Sequence, residues 1–273
     1  MFSATNCEKG THFVFREAKT IDDLGALLRL RYRVYRNSNL AKFIPQNDFS
    51  LDVDCYDVRA RHFGLFEVKK NKERAVGYLR VVEDRPVPAQ HTIFSLVNGI
   101  PELRRRLEET PEYPFPMMNY LPDPSVLENL RESIAEDGER MIEPCRFALD
   151  ESFRSLRLAR HMVESILAIF GSYLGIDHAI YCCDAANAAF YKAYGFNYLE
   201  GIPVSDFAGI GEKSCCLFAS YAELPLPVRE RIELMADAYA ETGRICCVPG
   251  EPNQFYSSEP APDYDLIFAL ATA

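Results

Sequence analysis

The stretch Asp184-Ala-Ala-Asn-Ala-Ala-Phe-Tyr-Lys-Ala-Tyr-Gly-Phe196 decides how the second half of the chain folds. It follows a short apolar run, Ala179 to Cys183, that reads as a buried strand. Asp184 suits a helix N-cap, because its carboxylate accepts hydrogen bonds from the unpaired amides of a first turn. Gly195 suits the left-handed residue that ends a helix. The segment therefore predicts strand, helix, and exit into a further strand at Gly195-Phe196.

Working outward, Leu156 to Leu174 carries Ala159, Met162, Val163, Ile166, Phe170 and Tyr173 on one side and predicts a long helix. Met141 to Leu149 before it reads as a strand. A strand–helix–strand unit implies a right-handed crossover between parallel strands. Upstream, His12 to Glu17 alternates as a short strand. Thr20 opens a helix with Asp22 and Asp23 in its first turn, where acidic groups suit the helix dipole. Ile21, Leu24, Leu28 and Tyr35 share one face of that helix. Arg29, Arg31, Arg33 and Arg36 suit its negative end and fit a solvated face.

Residues 37–56 lack a period and read as a loop. Phe63 to Val68 and Val76 to Val82 pair as a hairpin through the polar turn Lys69 to Arg74. Cys215 to Tyr221 predicts a strand, and Val228 to Tyr239 an amphipathic helix with Val228, Ile232, Met235 and Tyr239 aligned. Residues 1–273 thus read as one domain, a mixed α/β fold with a central twisted sheet flanked by helices. A proline-rich excursion spans about 85–140, with short helices at Leu103–Leu107 and Val126–Ala135. A tail at about 249–273, with Pro249, Pro252, Pro260 and Pro262, reads as extended.

The formal net charge of −10 argues against nucleic acid or an anionic membrane as the main partner. No segment approaches the roughly 20 apolar residues that span a bilayer, and Met1 to Thr11 lacks the apolar core of a secretory signal. A cytoplasmic protein is the expectation. Nine cysteines include three adjacent pairs and no C-x-x-C. Reduced, packed thiols and no metal site are the reading of that pattern.

The 184–196 segment resembles motif B of the GNAT N-acetyltransferases, commonly N-x-x-A-x-x-hydrophobic-Y-x-x-x-G-F. Asp184 stands at its first position, and Tyr191 at the tyrosine that protonates a leaving thiolate in many members. Packing of Tyr191 in the core is the plain alternative. Arg154-Ser-Leu-Arg-Leu-Ala159 resembles the GNAT pyrophosphate loop, Q/R-x-x-G-x-G/A, with Arg157 at its first glycine position. Such a loop turns helix N-terminal amides toward phosphate. An arginine there crowds a diphosphate and suits a single phosphate held by charge-assisted bonds. Arg154, Arg157, Leu158, Ala159, Arg160 and Asp184 are the expected donor-binding positions, with His161 in the same basic cluster. The acyl donor is expected to be acyl carrier protein in preference to coenzyme A, with no permanently bound cofactor. A solvated basic helix face is the alternative.

Four further blocks run in order: Leu30-Arg-Tyr-Arg-Val-Tyr35, Asp52-Val-Asp-Cys-Tyr-Asp57, Gly77-Tyr-Leu-Arg80 and Glu143-Pro-Cys-Arg-Phe147. Together these resemble the acyl-homoserine-lactone synthases and the related N-acyl amino acid synthases, which share L-R-x-x-V-F, E-x-D-x-x-D, G-x-x-R and E-x-x-R-F. The resemblance covers about residues 13–221. The long excursion is similar to that of N-acyl amino acid synthases, including a bacterial class associated with exosortase systems. It implies the GNAT acyl-CoA N-acyltransferase fold and transfer of a long acyl chain to an amino acid's α-amine. A homoserine-lactone synthase, a coenzyme A-dependent acetyltransferase and a non-catalytic acyl-binding module are the alternatives.

The chemistry assigns roles. A free α-amine has a pKa near 7.7–8.0 and needs a base; Glu143 is the candidate, with Arg146 orienting it or simply pairing with it. Phe147, Ala148 and Leu149 are the expected backbone donors to the oxyanion, and Tyr191 the acid. Arg80 or Arg31 is expected to hold the acceptor's carboxylate. Asp54 and Asp57 organise the loop over the site or form a solvated acidic turn. Phe94, Leu96, Phe115, Met117 and Met118 are expected to line an acyl slot.

Overall fold

Lys70 and Asn71 both take left-handed backbone, with φ of +50° and +58°. Two such residues in succession make the tight turn whose twist matches a hairpin. The turn joins β2 (Ala60–Lys69) to β3 (Lys72–Glu83), with Lys69 opposite Lys72. The computed structural model describes residues 11–85, 91–207 and 209–247. Within them one eight-stranded sheet also holds β1 (His12–Glu17), β4 (Met141–Leu149), β5 (His178–Asp184), β6 (Asn197–Tyr198), β7 (Ser214–Ser220) and β8 (Ile245–Cys247). Its order is β6-β7-β5-β4-β3-β2-β1-β8, and β4–β5 is its parallel pair. The chain is mixed α/β with an open sheet flanked by helices.

Helices cover both faces. On one, α5 (Leu156–Leu167) and α7 (Leu226–Thr242) bury Met162, Ile166, Val228 and Ile232 against Phe63, Leu79 and Ile142. On the other, α1 (Ile21–Arg36) buries Leu24, Leu27 and Leu28 with Phe66 and Tyr78. The excursion holds α2 (His91–Leu96), α3 (Pro101–Glu108) and α4 (Ser125–Glu136). Beyond α1 it covers that same face, where Phe115, Met117, Met118 and Leu127 pack on Val82, Met141 and Ile180.

Several expectations change. Ile21 is 46% exposed, because the first turn of α1 overhangs the sheet, and Tyr173 is 49% exposed. The long helix ends at Leu167 and continues as a π-helical turn, Ala168–Tyr173. The loop over 37–56 contains a 3-10 turn at Asn39–Phe43, and another follows at Cys55–Arg59. The helix after Asp184 divides into a 3-10 turn, Ala185–Asn187, and the short α6 (Ala188–Lys192). The acyl-slot residues separate. Phe115, Met117 and Met118 sit in one cluster, whereas Phe94 and Leu96 pack on the cluster beneath α1, where Leu96 abuts Gly25. The two groups cover different strips of the same sheet face. Cys7 and the tail from Pro249 lie outside the described residues.

The π-helical turn depends on Gly171. A Cβ there would lie 2.1 Å from Tyr221 Cδ1, so the ring or the helix would have to shift. Gly171→Ala is expected to lower stability by about 1–3 kcal/mol, outweighing the roughly 1 kcal/mol that alanine gains in a helix. Urea unfolding should show a lower midpoint with an unchanged slope.

Candidate active site

Between the two apolar clusters of the α1 face lies a buried network of charge. Arg31 Nη1 and Nη2 donate to Asp57 Oδ1 and Oδ2 at 2.8 and 2.7 Å, and Nε lies 2.7 Å from Asp52 Oδ2. Arg80 Nη1 donates to Asp57 Oδ1 at 2.8 Å and also to Asp54 Oδ1. Arg146 Nη2 donates to Asp54 Oδ2 at 3.2 Å. Three guanidiniums thus meet three carboxylates, so the network is neutral as a whole, as burial demands. Burial tends to raise the Asp57 carboxyl, but Arg31 and Arg80 outweigh it and hold Asp57 well below the usual range. His62 bridges Tyr78 Oη at 2.9 Å and the Asp57 carbonyl at 3.0 Å, and burial pushes its pKa down.

Local sequence explains the convergence. Asp54 caps the 3-10 turn by accepting from Tyr56 N at 3.0 Å, and Asp57 accepts from Asp54 N at 2.9 Å. This reciprocal box locks both carboxylates toward the sheet. Asp54 and Asp57 therefore form a structural core, with Asp57 fully buried. Arg31 and Arg80 are likewise fully buried and occupied by aspartates. This removes Arg31 from the solvated helix face, while Arg80 Nη2 is buried without a hydrogen-bond partner among the described residues.

The second feature is a break in β4. Tyr78 stands opposite Ala148 and Arg80 opposite Cys145, so Arg146 and Phe147 together face Leu79. This is a β-bulge, and Arg146 takes φ of +56° to make it. The parallel partner leaves at the same level: β5 pairs with β4 only at Met141↔His178 and Ile142↔Ala179. The strands then splay, and the backbone of residues 146–149 borders a wedge. Tyr35 Oη donates to the Phe147 carbonyl at 3.1 Å, pinning the bulge from α1. Tyr191 on α6 donates to Tyr181 Oη on β5 at 2.8 Å. Burial raises both phenols well above their ordinary value, and the field of Tyr35 reaches both.

Glu143 lies three residues before the bulge, 2% exposed, on the face covered by the excursion. Its carboxylate accepts from Met117 N at 3.2 Å. Burial pushes its pKa up to about 8, opposed only in part by Met117 N–H, Arg80 and Arg146. The expected Glu143–Arg146 pair gives way to Arg146 with Asp54 and Asp52, because the bulge turns the arginine toward the aspartates.

The end of α5 is open: Arg154 and Ser155 are exposed. Ser155 caps it, accepting from Leu158 N at 3.3 Å. The expected basic cluster disperses around the helix. Arg160 donates to Glu164 at 3.0 Å, and Arg157 hydrogen-bonds Cys247 on β8. His161 is buried, with its pKa lowered by burial to about 4, hence neutral. Helical rotation of 100° per residue separates these side chains. Leu158 packs in the core, Ala159 against it, and Asp184 caps the turn into α6 through Ala186 N at 2.9 Å. Sequence reasoning missed His62, Tyr181 and the Met117 amide; only Tyr181 left a trace, as an alternate position on a strand beside Tyr191.

A sequence model described as N-acyl amino acid synthase FeeM matches residues 117–217, and one described as an acetyltransferase (GNAT) domain matches residues 30–112. No curated protein sequence matches. Similar solved structures include FeeM, an N-acyl amino acid synthase from uncultured soil microbes, at 15% identity over 78% of this chain and 93% of that one, TM-score 0.49. The acyl-homoserine-lactone synthase LasI is 16% identical over 78% and 91%, TM-score 0.46. An acyl-CoA N-acyltransferase from Pseudomonas aeruginosa is 16% identical over 76% and 98%, TM-score 0.41.

Removing one partner from the charge network strands the others. Arg31→Ala is expected to cost about 3–5 kcal/mol, read as a fall in the urea midpoint. Asp57 has its pKa depressed in the folded state. Its contribution is therefore present above the unfolded carboxylate value and is lost as pH falls below it.

Proposed function

We propose that this enzyme, a GNAT-fold N-acyltransferase by its two family matches, moves a long-chain acyl group from a phosphopantetheine thioester to the α-amine of an amino acid. One observation carries the reading: the bulge at Arg146–Phe147 sits where β4 and β5 part, with a buried carboxyl on one side and a buried phenol on the other.

The wedge between the strands accommodates a narrow pantetheine arm. The thioester carbonyl then meets the backbone of residues 147–149, whose amides stabilise the developing oxyanion. Such a donor is worth roughly 3 kcal/mol of barrier. The amine approaches from the excursion face, where Glu143 takes its proton directly or through water. Collapse of the tetrahedral intermediate expels the thiolate, and Tyr191, its O–H swung from Tyr181 toward the sulfur, returns a proton to it. Arg146 holds the bulge open through Asp54 while its own strained backbone shapes it. Of the three network arginines Arg146 has the partly exposed side chain, at 21%, and is assigned to meet the acceptor's carboxylate, with the unpartnered Arg80 Nη2 behind it. The phosphate is assigned to the first-turn amides of α5 with Arg154 beside them. Without glycine at Arg157, a single phosphate is the better fit, so the donor is acyl carrier protein in a cytoplasmic setting.

A neutral Glu143 is the inactive form, so kcat/KM should rise with pH through about 8. Glu143→Gln should lower kcat by about 10²–10⁴-fold and abolish that limb. The folded-state pKa is raised, so Glu143's contribution to stability is full below its unfolded value and disappears as pH climbs through about 8. Glu143→Gln should therefore melt higher than wild type at pH 9. A mutant as active as wild type removes the base assignment.

Donor and acceptor are read together by mass spectrometry of the products. Long-chain acyl carrier protein with a mixture of amino acids should give N-acyl amino acids, at least about tenfold faster than the same acyl-coenzyme A. Product only with S-adenosylmethionine would move the reading to a homoserine-lactone synthase.

A further inference from the structure

Cys183 on β5 and Cys215 on β7 stand directly opposite each other, with Sγ atoms 3.6 Å apart. Ala185 N donates to the Lys213 carbonyl at 2.8 Å, two residues along, so Cys183 and Cys215 occupy a hydrogen-bonded pair of the ladder. Cα atoms of such a pair lie about 5.5 Å apart, inside the roughly 4.4–6.8 Å that a disulfide spans. The other cysteine pairs are built differently. Cys182 and Cys216 also oppose each other, on the far face against the apolar cluster beside the excursion, with Cys182 partly exposed as well; the sulfur–sulfur contact is that of Cys183 and Cys215. Cys246 and Cys247 are neighbours on β8, where their strand partners are Val14 and Phe13. Cys183 is partly exposed, whereas Cys215 is buried behind it.

We propose that Cys183 and Cys215 are an oxidation site that closes to a reversible disulfide with hydroperoxide, and that closure slows acyl transfer. The second half of this rests on the acyl-transfer reading above. The sulfurs differ in character: the hydrogen bond from Cys183 lowers the pKa of the Cys215 thiol, and Lys192 adds to the effect. The same bond raises the pKa of the Cys183 thiol. With Cys215 ionised, Cys183, the sulfur solvent reaches, first passes the shared proton to Cys215 across a contact in which either sulfur can donate. Its thiolate then forms an S–O bond as the peroxide O–O bond breaks, and the hydroxide released takes the proton back from Cys215, giving a sulfenic acid and one water. Cys215 as thiolate then attacks that sulfur. The S–S bond forms, the S–O bond breaks, and hydroxide leaves with a proton as a second water. The two thiols lose two electrons and two protons, and the peroxide is reduced to water.

Closure reaches the site through short connections. Drawing the sulfurs from 3.6 Å to about 2.05 Å moves the end of β5. The next residue, Asp184, caps the turn into the helix that carries Tyr191. The fields of Cys183 and Cys215 both act on Tyr191. A displacement near 1 Å at a proton donor can cost up to about 100-fold in rate, so a fall of about tenfold is expected.

The test treats the full chain with equimolar hydrogen peroxide under native conditions and follows peptide mass and turnover together. Expected are a Cys183–Cys215 linked peptide, two mass units lighter than the reduced pair, and a parallel loss of turnover, both reversed by dithiothreitol. Cys183→Ser should keep full turnover in peroxide, and Cys215→Ser should accumulate a Cys183 sulfenic acid that dimedone traps. Earlier oxidation of any other cysteine, sulfinic acid at Cys183 in wild type, or a disulfide that leaves turnover unchanged would each overturn the proposal. A chain that transfers no acyl group in either state sinks the acyl-transfer reading alone, and the peptide map then decides the disulfide by itself.

Discussion

Arg31 held by Asp57 and Asp52 in the absence of water is the interaction on which the rest of the structure depends. Isolated, each of these ions would be too costly to bury. Together with Arg80, Asp54 and Arg146 they reach neutrality, and the network joins α1, the 55–59 turn, β3 and β4. An apolar core could join the same elements with comparable stability. It could not fix Arg146 in a left-handed conformation in mid-strand, because only directional bonds to Asp54 and Asp52 define where that guanidinium must lie. The bulge follows from the charges.

The bulge in turn organises everything chemical about the sheet. It takes backbone out of register just where the parallel pairing stops, and Tyr35 holds it there from above. The carboxyl and the phenol on either side are both held toward their neutral forms by burial and so need no counter-ion, each satisfied by one neutral hydrogen bond.

Much of this was legible in the order of residues, and the rest for identifiable reasons was not. The segment around Asp184 and Gly195 specifies its strand–turn–helix locally, because caps and left-handed residues act within a few positions. Strands β2 to β5 carry apolar patterns strong enough to read alone. By contrast β6 and β8 are two and three residues long and exist only because a neighbouring strand offers an edge. The partners of Arg31 lie 21 and 26 positions downstream, so the same arginine looks solvated until the loop folds over it. The dispersal of Arg154, Arg157, Arg160 and His161 reflects helical geometry, in which closeness along the chain is no measure of closeness in space. Glu143's pairing failed to appear because a strand bulge, invisible to periodicity, rotated Arg146 away.

The edge strand β8 closes the sheet against β1, setting Phe13 beside Cys247. Those partners are among the most distant in the described chain. During synthesis on the ribosome, β1 would therefore present an unprotected outer rim, with its amides and carbonyls open, until residues 245–247 had emerged. A nascent chain whose residues up to 247 have not yet emerged resembles an unfinished sheet seeking any extended segment to complete it. The three-residue strand that looks like an afterthought thus covers the rim that β1 would otherwise offer.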